Sequence, residues 1–515
     1  MSLLEPYWRA TESLPAFEAL RKDEKADVVI VGGGITGITT AYLLVQEGLK
    51  VALIEADRLL NGTTGHTTAK ITAQHHLIYD EFIQHFGQTT ARLYYEANAE
   101  AMGHIRDMIG KHRIECDYSE QDAYLYATTE QSARKMEKEY RAYTTLSIAG
   151  ELVDRIPFPI GITSALRMTG QAQFHPLKYL AHLVDALRKA GAHIYEHTVA
   201  VNVQEDGGET AVLTRDGHKI TAKRVIACSH FPFYEGMGLY SARMYASRSY
   251  VLACKTTTQF PGGMYLCVDQ PSRSLRSVSA DGESLVLIGG DDHKAGQGKD
   301  TREHYKALEA FGEEVLGLDR IEYQWSTQDL ITLDKMPYVG AITASRPDIL
   351  IATGYRKWGM TNGTAAAHVL KDIVLGKDNP YIAMYSPSRF YADPSLKRFF
   401  VENFNVLKHL VKGKLEMPDT SIGALSNDQG AVITLNGERK GAYRDPQGQL
   451  HVVDTTCTHV GCEVNWNAGD RTWDCPCHGS RFSYTGEVIE GPAEKPLQRV
   501  HHDMLDSLMG ENSGY

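Results

Sequence analysis

At 515 residues the chain is too long for one ordinary hydrophobic core and predicts roughly two or three domains, and its 43% hydrophobic and 23% charged content is that of a globular protein. A formal net charge of −11, with no basic block to override it, excludes a phosphate-backbone partner such as DNA or RNA. No apolar run is long enough to cross a membrane, and the opening MSLLEPYWRATESLP lacks a charged-then-apolar signal pattern, so a cytoplasmic location is expected.

The first informative stretch is DVVIVGGGITG at 27–37. Asp27 to Val31 predicts a buried parallel strand, and Gly32, Gly34 and Gly37 follow at once in GxGxxG spacing. Gly32 permits the tight turn, Gly34 lets a pyrophosphate approach the backbone, and Gly37 lets the next helix pack on the strand. The phosphates would sit at a helix N-terminus, where unpaired N–H groups and the dipole favour negative charge. Ile38, Ala41, Tyr42 and Val45 share one face of that helix, and Gly48 stops it. A second strand, Val51 to Ile54, ends in Glu55, placed to accept hydrogen bonds from an adenosine ribose. The fingerprint predicts a dinucleotide but does not choose between FAD and NAD.

A loop rich in small polar residues follows, with hydroxyls at Thr63, Thr64, Thr67 and Thr68 suited to phosphate or flavin-edge contacts. Residues from about 80 to 150 read as helical. From Ala192 to Ala227 the pattern turns to short strands, with turns at 206–208 and 216–217. Residues 243–330 alternate apolar and polar like antiparallel strands. From Ile349 the order strand, Gly-rich turn, helix returns, with Gly354 and Gly359 in the turn and a helix from Thr361 to Leu375 ending at Gly376. Cys116, Cys228, Cys254 and Cys267 are scattered and read as small buried side chains.

The ordered set GGGITG, IEA, the Thr-rich loop, WSTQDLITLDKMPYVG (325–340) and ATGYRKWGMTNG resembles the D-amino acid oxidase superfamily of FAD enzymes over roughly residues 1–380. The segment KRVIACS, ending a buried strand at Cys228, resembles the second flavin-side strand of many FAD enzymes. The resemblance implies FAD, with Gly32, Gly34, Gly37, Glu55, Thr64, Thr67, Gly354, Gly359 and Thr361 around it. It also implies oxidation of a C–N bond in a small-molecule amine or amino acid. No second strand–GxGxxG–helix unit provides for NAD(P)H, since LIGGDDHKAGQG lacks the helix.

For substrate, Arg356 lies where glycine-oxidase-like members place an arginine, and a guanidinium suits bidentate carboxylate binding. His66 and Lys70 match a His and a basic residue that sit by the flavin in sarcosine-oxidase-like members, and Tyr250, His293 and Trp358 are further candidates. The cysteine that binds flavin covalently in sarcosine oxidases aligns near Thr327, so FAD is expected to be non-covalent.

Between about 378 and 420 the sequence becomes a linker in which KRFFVENFNVLKHLVKGKL reads as a helix packed between domains, with a basic helix touching a membrane surface as the alternative. After MPDTS a new domain begins, with turns at Asn436-Gly437 and 445–448. It contains CTHVGC at 457–462 and CPCHGS at 475–480. Cys457 with His459 and Cys475 with His478 give two loops, each offering one thiolate and one imidazole, as a Rieske [2Fe-2S] centre requires. Tetrahedral zinc would use the same set, but zinc does not explain the second cysteine of each loop, Cys462 and Cys477.

In the bc-complex type of Rieske protein, which this domain resembles, the matching cysteines form a disulfide, so a Cys462–Cys477 bridge is implied although a cytosolic chain keeps most thiols reduced. That type has Ser and then Tyr after the second motif; here Ser480 is present but Phe482 stands at the Tyr position, and losing an outer-shell donor should lower the potential.

The expected architecture is an α/β FAD-binding domain (a glutathione-reductase-like Rossmann domain) with an antiparallel-sheet substrate domain, plus a small all-β Rieske domain. The expected boundaries are 1–380, a linker over 381–420, and 421–508. A flavin takes two electrons and a [2Fe-2S] cluster carries one, so the pair suggests a dehydrogenase discharging stepwise to an external acceptor. The alternatives are electrons entering from an external donor through the cluster to the flavin, as in a reductase or oxygenase, and a non-enzymatic redox sensor or carrier.

Overall fold

The computed structural model describes residues 5–500 apart from 281–282, 299, 390–391 and 416–419, so residues 501–508 of the expected cluster domain lie outside the described residues. The first layer is a six-stranded sheet assembled from segments far apart in sequence. Strand β1 (Val28–Val31) leads into helix α1 (Ile35–Gln46) and strand β2 (Val51–Ile54), followed by β3 (His193–Tyr195) and β4 (Arg224–Ala227). A second, 9-stranded sheet contains the long strands β5 (Met244–Thr256) and β6 (Leu318–Thr332). The chain then returns to the first sheet through β7 (Tyr338–Ala341) and β8 (Ile349–Thr353) and leaves it by helix α2 (Gly359–Leu375). The strand order is β7-β8-β4-β1-β2-β3, parallel throughout except for β7 against β8. Every residue of β1, β2 and β8 is buried, the mark of a parallel sheet covered on both faces.

The turns behave as their glycines require. Gly32 has φ +113°, and a Cβ there would meet the Cys228 carbonyl oxygen at 2.4 Å; a Cβ on Gly37 would meet the Gly32 oxygen at 1.9 Å. The backbone therefore passes between β1 and β4 where no side chain fits. Helix α2 begins at Gly359, two residues before the expected Thr361, and ends at Gly376 in the left-handed region.

Two expectations need correction. The stretch read as helical from about 80 to 150 contains helices Tyr79–His112 and Glu130–Thr145 with the strand Ser119–Ala127 between them. In SEQDAYLYA, Tyr124, Leu125, Tyr126 and Ala127 are buried, so pairing inside a sheet outweighs the helical pattern on either side. That strand joins Met264–Cys267 of the 9-stranded sheet in parallel, whereas the strands within 243–330 pair with one another antiparallel, as expected. Within 243–330 the helix Arg302–Leu316 also interrupts the strands. The long pairs inside that sheet, β5 with β6 and β5 with Glu283–Lys294, are antiparallel.

Helix α3 (Ala392–Leu415) bridges to the C-terminal part, where a 3-stranded and a 4-stranded antiparallel sheet carry the two cysteine loops. Its core packs Trp473 and Phe482, both 0% exposed, against the loops' four cysteines.

Candidate functional site

A cavity of about 680 Å³ runs along the C-terminal ends of β1, β4 and β8, where open α/β sheets bind ligands. One end is lined by Gly32, Gly34, Glu55 and Thr198 to Ala200, the middle by Thr63 to Thr68 with Cys228 to Phe233, and the far end by Lys70, Ser274, Asp329 and Arg356 to Met360. The Gly33 N–H donates to Glu55 Oε2 at 2.7 Å, so the carboxylate also braces the glycine turn. Burial pushes the Glu55 carboxyl upward. Thr64 Oγ1 accepts from the Ile35 N–H at 3.1 Å and lies 3.2 Å from where a Gly34 Cβ would be, which places its hydroxyl on the helix N-terminus. Thr67 Oγ1 accepts from Ala69 N–H at 2.9 Å, and Thr63 Oγ1 donates to Gln328 O at 3.2 Å.

At the far end Lys70 Nζ donates to Ser274 Oγ (2.6 Å) and Tyr265 O (3.3 Å). Burial, with the nearby Arg276 charge adding to it, brings its ammonium down to about 7. Arg356, at φ +59°, donates from Nη2 to His75 O at 3.0 Å and lines the cavity. Trp358 stacks on His75 with ring centroids 4.8 Å apart. His66 Nδ1 bonds Gly62 O at 2.9 Å, and burial lowers its imidazole to about 4, keeping it neutral. Tyr250 Oη lies 2.9 Å from His293 Nε2, with Tyr250 on the cavity wall. Gly354 and Thr361 stand outside that wall: Gly354 turns the chain against Thr332, and Thr361 Oγ1 bonds Thr72 O at 3.1 Å.

Besides Thr327, aligned above with a flavin-binding cysteine, the wall holds residues that were not singled out from the sequence. Asp329 sits 3.5 Å from Lys357 Nζ, yet burial still lifts its carboxyl to about 6. Thr327 Oγ1 and His230 Nε2 are buried without a hydrogen-bond partner. Alternation along β6 was the available signal for Thr327 and Asp329, since both fall on one face of that strand. His230 and Phe231 have no comparable local signal.

The cysteine loops are built alike. Cys457 N–H donates to Cys462 O (2.7 Å) and Gly461 N–H to Cys457 O (3.0 Å); Cys475 N–H donates to Ser480 O (2.8 Å) and Gly479 N–H to Cys475 O (3.2 Å). The Cys457 and Cys475 thiols are both free and buried. The rings of His459 and His478 are 5.0 Å apart, and each presents a buried Nδ1 with no partner. Cys462 and Cys477 form a disulfide, S–S 2.11 Å. The sulfurs of Cys462, Cys475 and Cys477 lie within 4.8 Å of one another, but the disulfide occupies two of them. Two free thiols and two unpartnered imidazole nitrogens converging from two loops fit a [2Fe-2S] cluster, just as the glycine cradle and its long cavity fit FAD.

The two sites share walls. The segment Glu487 to Glu494 of the cluster domain lines the flavin cavity. Arg248 on β5, fully buried, donates to Glu490 Oε2 at 3.1 Å, to Ser326 Oγ and Gln328 Oε1 at 2.9 Å each, and lies 3.5 Å from Asp474. The Phe231 ring, on the cavity wall, packs edge-on against His459 at 6.3 Å.

The family model for FAD dependent oxidoreductases matches residues 27–373, and that for the Rieske [2Fe-2S] domain matches 417–501. A Bacillus subtilis protein described as a putative Rieske 2Fe-2S iron-sulfur protein, YhfW, is 52% identical over 97% of this chain and 98% of its own. Gamma-glutamylputrescine oxidoreductase of Escherichia coli is 23% identical over 72% of this chain and 88% of its own. Among solved structures, glycine oxidase from Geobacillus kaustophilus shares the fold with a TM-score of 0.60 at 19% identity, covering 71% of this chain and 99% of that one. The chain belongs to the DAO family of FAD-dependent oxidoreductases and joins that module to a Rieske domain, with FAD and a [2Fe-2S] cluster as its cofactors.

Proposed function

We propose that this enzyme oxidises a C–N bond of an amine or amino acid at the flavin site and passes the electrons singly, through the Rieske centre, to an external acceptor, with the cytoplasm as its place of work. The bound flavin supplies two-electron chemistry and the cluster one-electron chemistry. The observation that carries the reading is the common wall: cavity residue Phe231 packs on His459, one of the proposed cluster ligands. The remaining proposed ligands are Cys457, Cys475 and His478, with the Cys462–Cys477 disulfide holding their loops together.

In this reading Arg356 binds a substrate carboxylate, and Lys70, neutral above about pH 7, takes the proton from a substrate ammonium so that the nitrogen lone pair is free. His66 stays neutral and shapes the wall between them. Gly32, Gly34, Glu55, Thr64 and Thr67 would hold the dinucleotide, with Gly37 and Gly354 shaping the backbone and Gly359 opening helix α2 toward it. Thr361, buried behind the wall, would position His75. A division into 1–380, 381–420 and 421–508 is proposed on the same basis.

Anaerobic titration with a panel of amines and amino acids, following flavin absorbance and the cluster's EPR signal together, tests the reading. Bleaching of the flavin followed by growth of a reduced Rieske signal is the expected result. Filling of the cluster first by a reductant, with the flavin following and no amine acting, would reverse the direction of flow.

A further inference from the structure

The contacts of Arg398, Glu402, Asn403, Asn405, Val406 and Leu410 on helix α3 gather on one side. Arg398 donates to Leu333 O (2.8 Å) and Glu81 (2.9 Å), Glu402 accepts from Lys294 (2.6 Å), and Asn403 donates to Ala242 O (3.1 Å). Asn405 accepts from Gln297 (2.8 Å), while Val406 and Leu410 pack on the cluster-domain core. The side chains between these contacts point the other way: Phe400, Val401, Phe404 and Leu407 are 69, 57, 70 and 54% exposed. Positions 400, 404 and 407 repeat at helical spacing, so the four make one apolar stripe.

The stripe has neighbours. Met237 (89% exposed) and Leu239 (65%) lie on the loop entering the short helix Tyr240–Arg243, whose Ala242 holds Asn403. Val460 (48%) directly follows His459, whose ring approaches Glu235 of that same loop at 4.0 Å. Val406 O in turn lies 3.8 Å from Cys477 Sγ in the second cysteine loop. Single exposed apolar side chains need no explanation. Here seven of the nine large exposed ones among the described residues lie on three segments that touch one another beside the histidine edge.

Charge says what covers them. The sequence of α3 carries Lys397, Arg398, Lys408, Lys412 and Lys414 against Asp393 and Glu402, in a chain of net charge −11. Glu402 and Arg398 are turned inward to partners, whereas Lys408 and Lys414 are exposed. The stripe holds no Tyr, Trp or Arg, the side chains that dominate binding hot spots between proteins. Phe, Val and Leu flanked by lysine are the composition of a helix lying in a lipid interface.

We propose that this face docks on an anionic phospholipid surface. Phe400, Val401, Phe404 and Leu407 enter the boundary between headgroups and acyl chains, Lys408 and Lys414 pair with lipid phosphates, and the His459 edge of the cluster domain is brought to the bilayer. An acidic chain is repelled by such a surface except where its charge reverses locally, which orients the molecule. The proposal stands whichever way electrons run through the chain.

The full-length holoprotein is sedimented with phosphatidylglycerol vesicles and, in parallel, with phosphatidylcholine vesicles. Sedimentation with the first and not the second is expected, weakening as salt is raised. The double variant Phe400→Ser/Phe404→Ser, altered only at exposed positions, should lose about tenfold or more in partitioning, and so should Lys408→Glu/Lys414→Glu. Unchanged flavin absorbance and cluster EPR in these variants show that they are folded. Wild-type protein left in the supernatant with phosphatidylglycerol, or a serine variant that binds as wild type does, overturns the proposal. A wild-type dimer in light scattering that the serine variant converts to monomer, with no vesicle binding by either, assigns the face to a second copy of the chain instead.

Discussion

Lys70 shows how far a cavity can change one residue's chemistry. Its partners are a hydroxyl and a carbonyl, and burial takes its ammonium from the usual lysine range to about 7. Below that pH it is protonated and cannot accept a substrate proton, so kcat/KM should fall about tenfold per unit on the acid side. Lys70→Met should remove that limb of the profile while leaving flavin content unchanged. Phe482, fully buried beside the cysteine loops, offers the cluster no hydrogen bond. Phe482→Tyr should raise the cluster's reduction potential in protein-film voltammetry; an unchanged potential would remove the missing hydroxyl as its determinant. Glycines 32, 34 and 37 and the Cys and His pairs were legible in sequence because their chemistry depends on near neighbours. Asp329 was not, since its environment comes from Lys357 and the cavity around it.

Strand β6 does different work on its two faces. Thr327 and Asp329 line the cavity, while the side chains of Ser326, at the cavity's edge, and Gln328 bond Asp470 and the Gly479 carbonyl of the cluster domain. Beside them Arg248 on β5 pairs with Gln328 across the ladder and meets Glu490 and Asp474 with no exposed surface. Arg248→Met would strip Glu490 of its hydrogen-bonded cation and leave Asp474 to Arg481 alone, a loss of about 3 kcal/mol of docking stability, read as earlier loss of the cluster signal in denaturant. The loop before helix Arg302–Leu316 makes an equally tight joint. Gly296 has φ +68°, and a Cβ there would meet the Cys475 carbonyl carbon at 2.6 Å. Gly296→Ala should therefore cost roughly 1–3 kcal/mol and shift the cluster's EPR line shape. The sequence predicted β6 as an alternating strand, but the neighbour of its outward face belongs to a domain more than a hundred residues further on.

The whole molecule is two redox modules with a shared wall. Because the cluster domain is anchored through buried polar contacts rather than tethered by a linker alone, electron transfer between flavin and cluster should be unimolecular. After rapid mixing with substrate, the rate of cluster reduction should stay constant over a wide range of protein concentration and solvent viscosity. A rate that slows with viscosity would mean that the domain swings between contacts. The sequence alone determined the two cofactors and the order of the modules: strand, glycine turn and helix lie within thirty residues, and each cysteine loop within six. A cradle or a ligand loop closes on itself, so its chemistry can be read locally. Only the tertiary structure decided that the cluster domain also closes the flavin cavity. That arrangement depends on pairs such as Arg248 with Glu490, 242 residues apart, and Phe231 with His459, whose contact is made by packing and leaves no periodic trace in either segment.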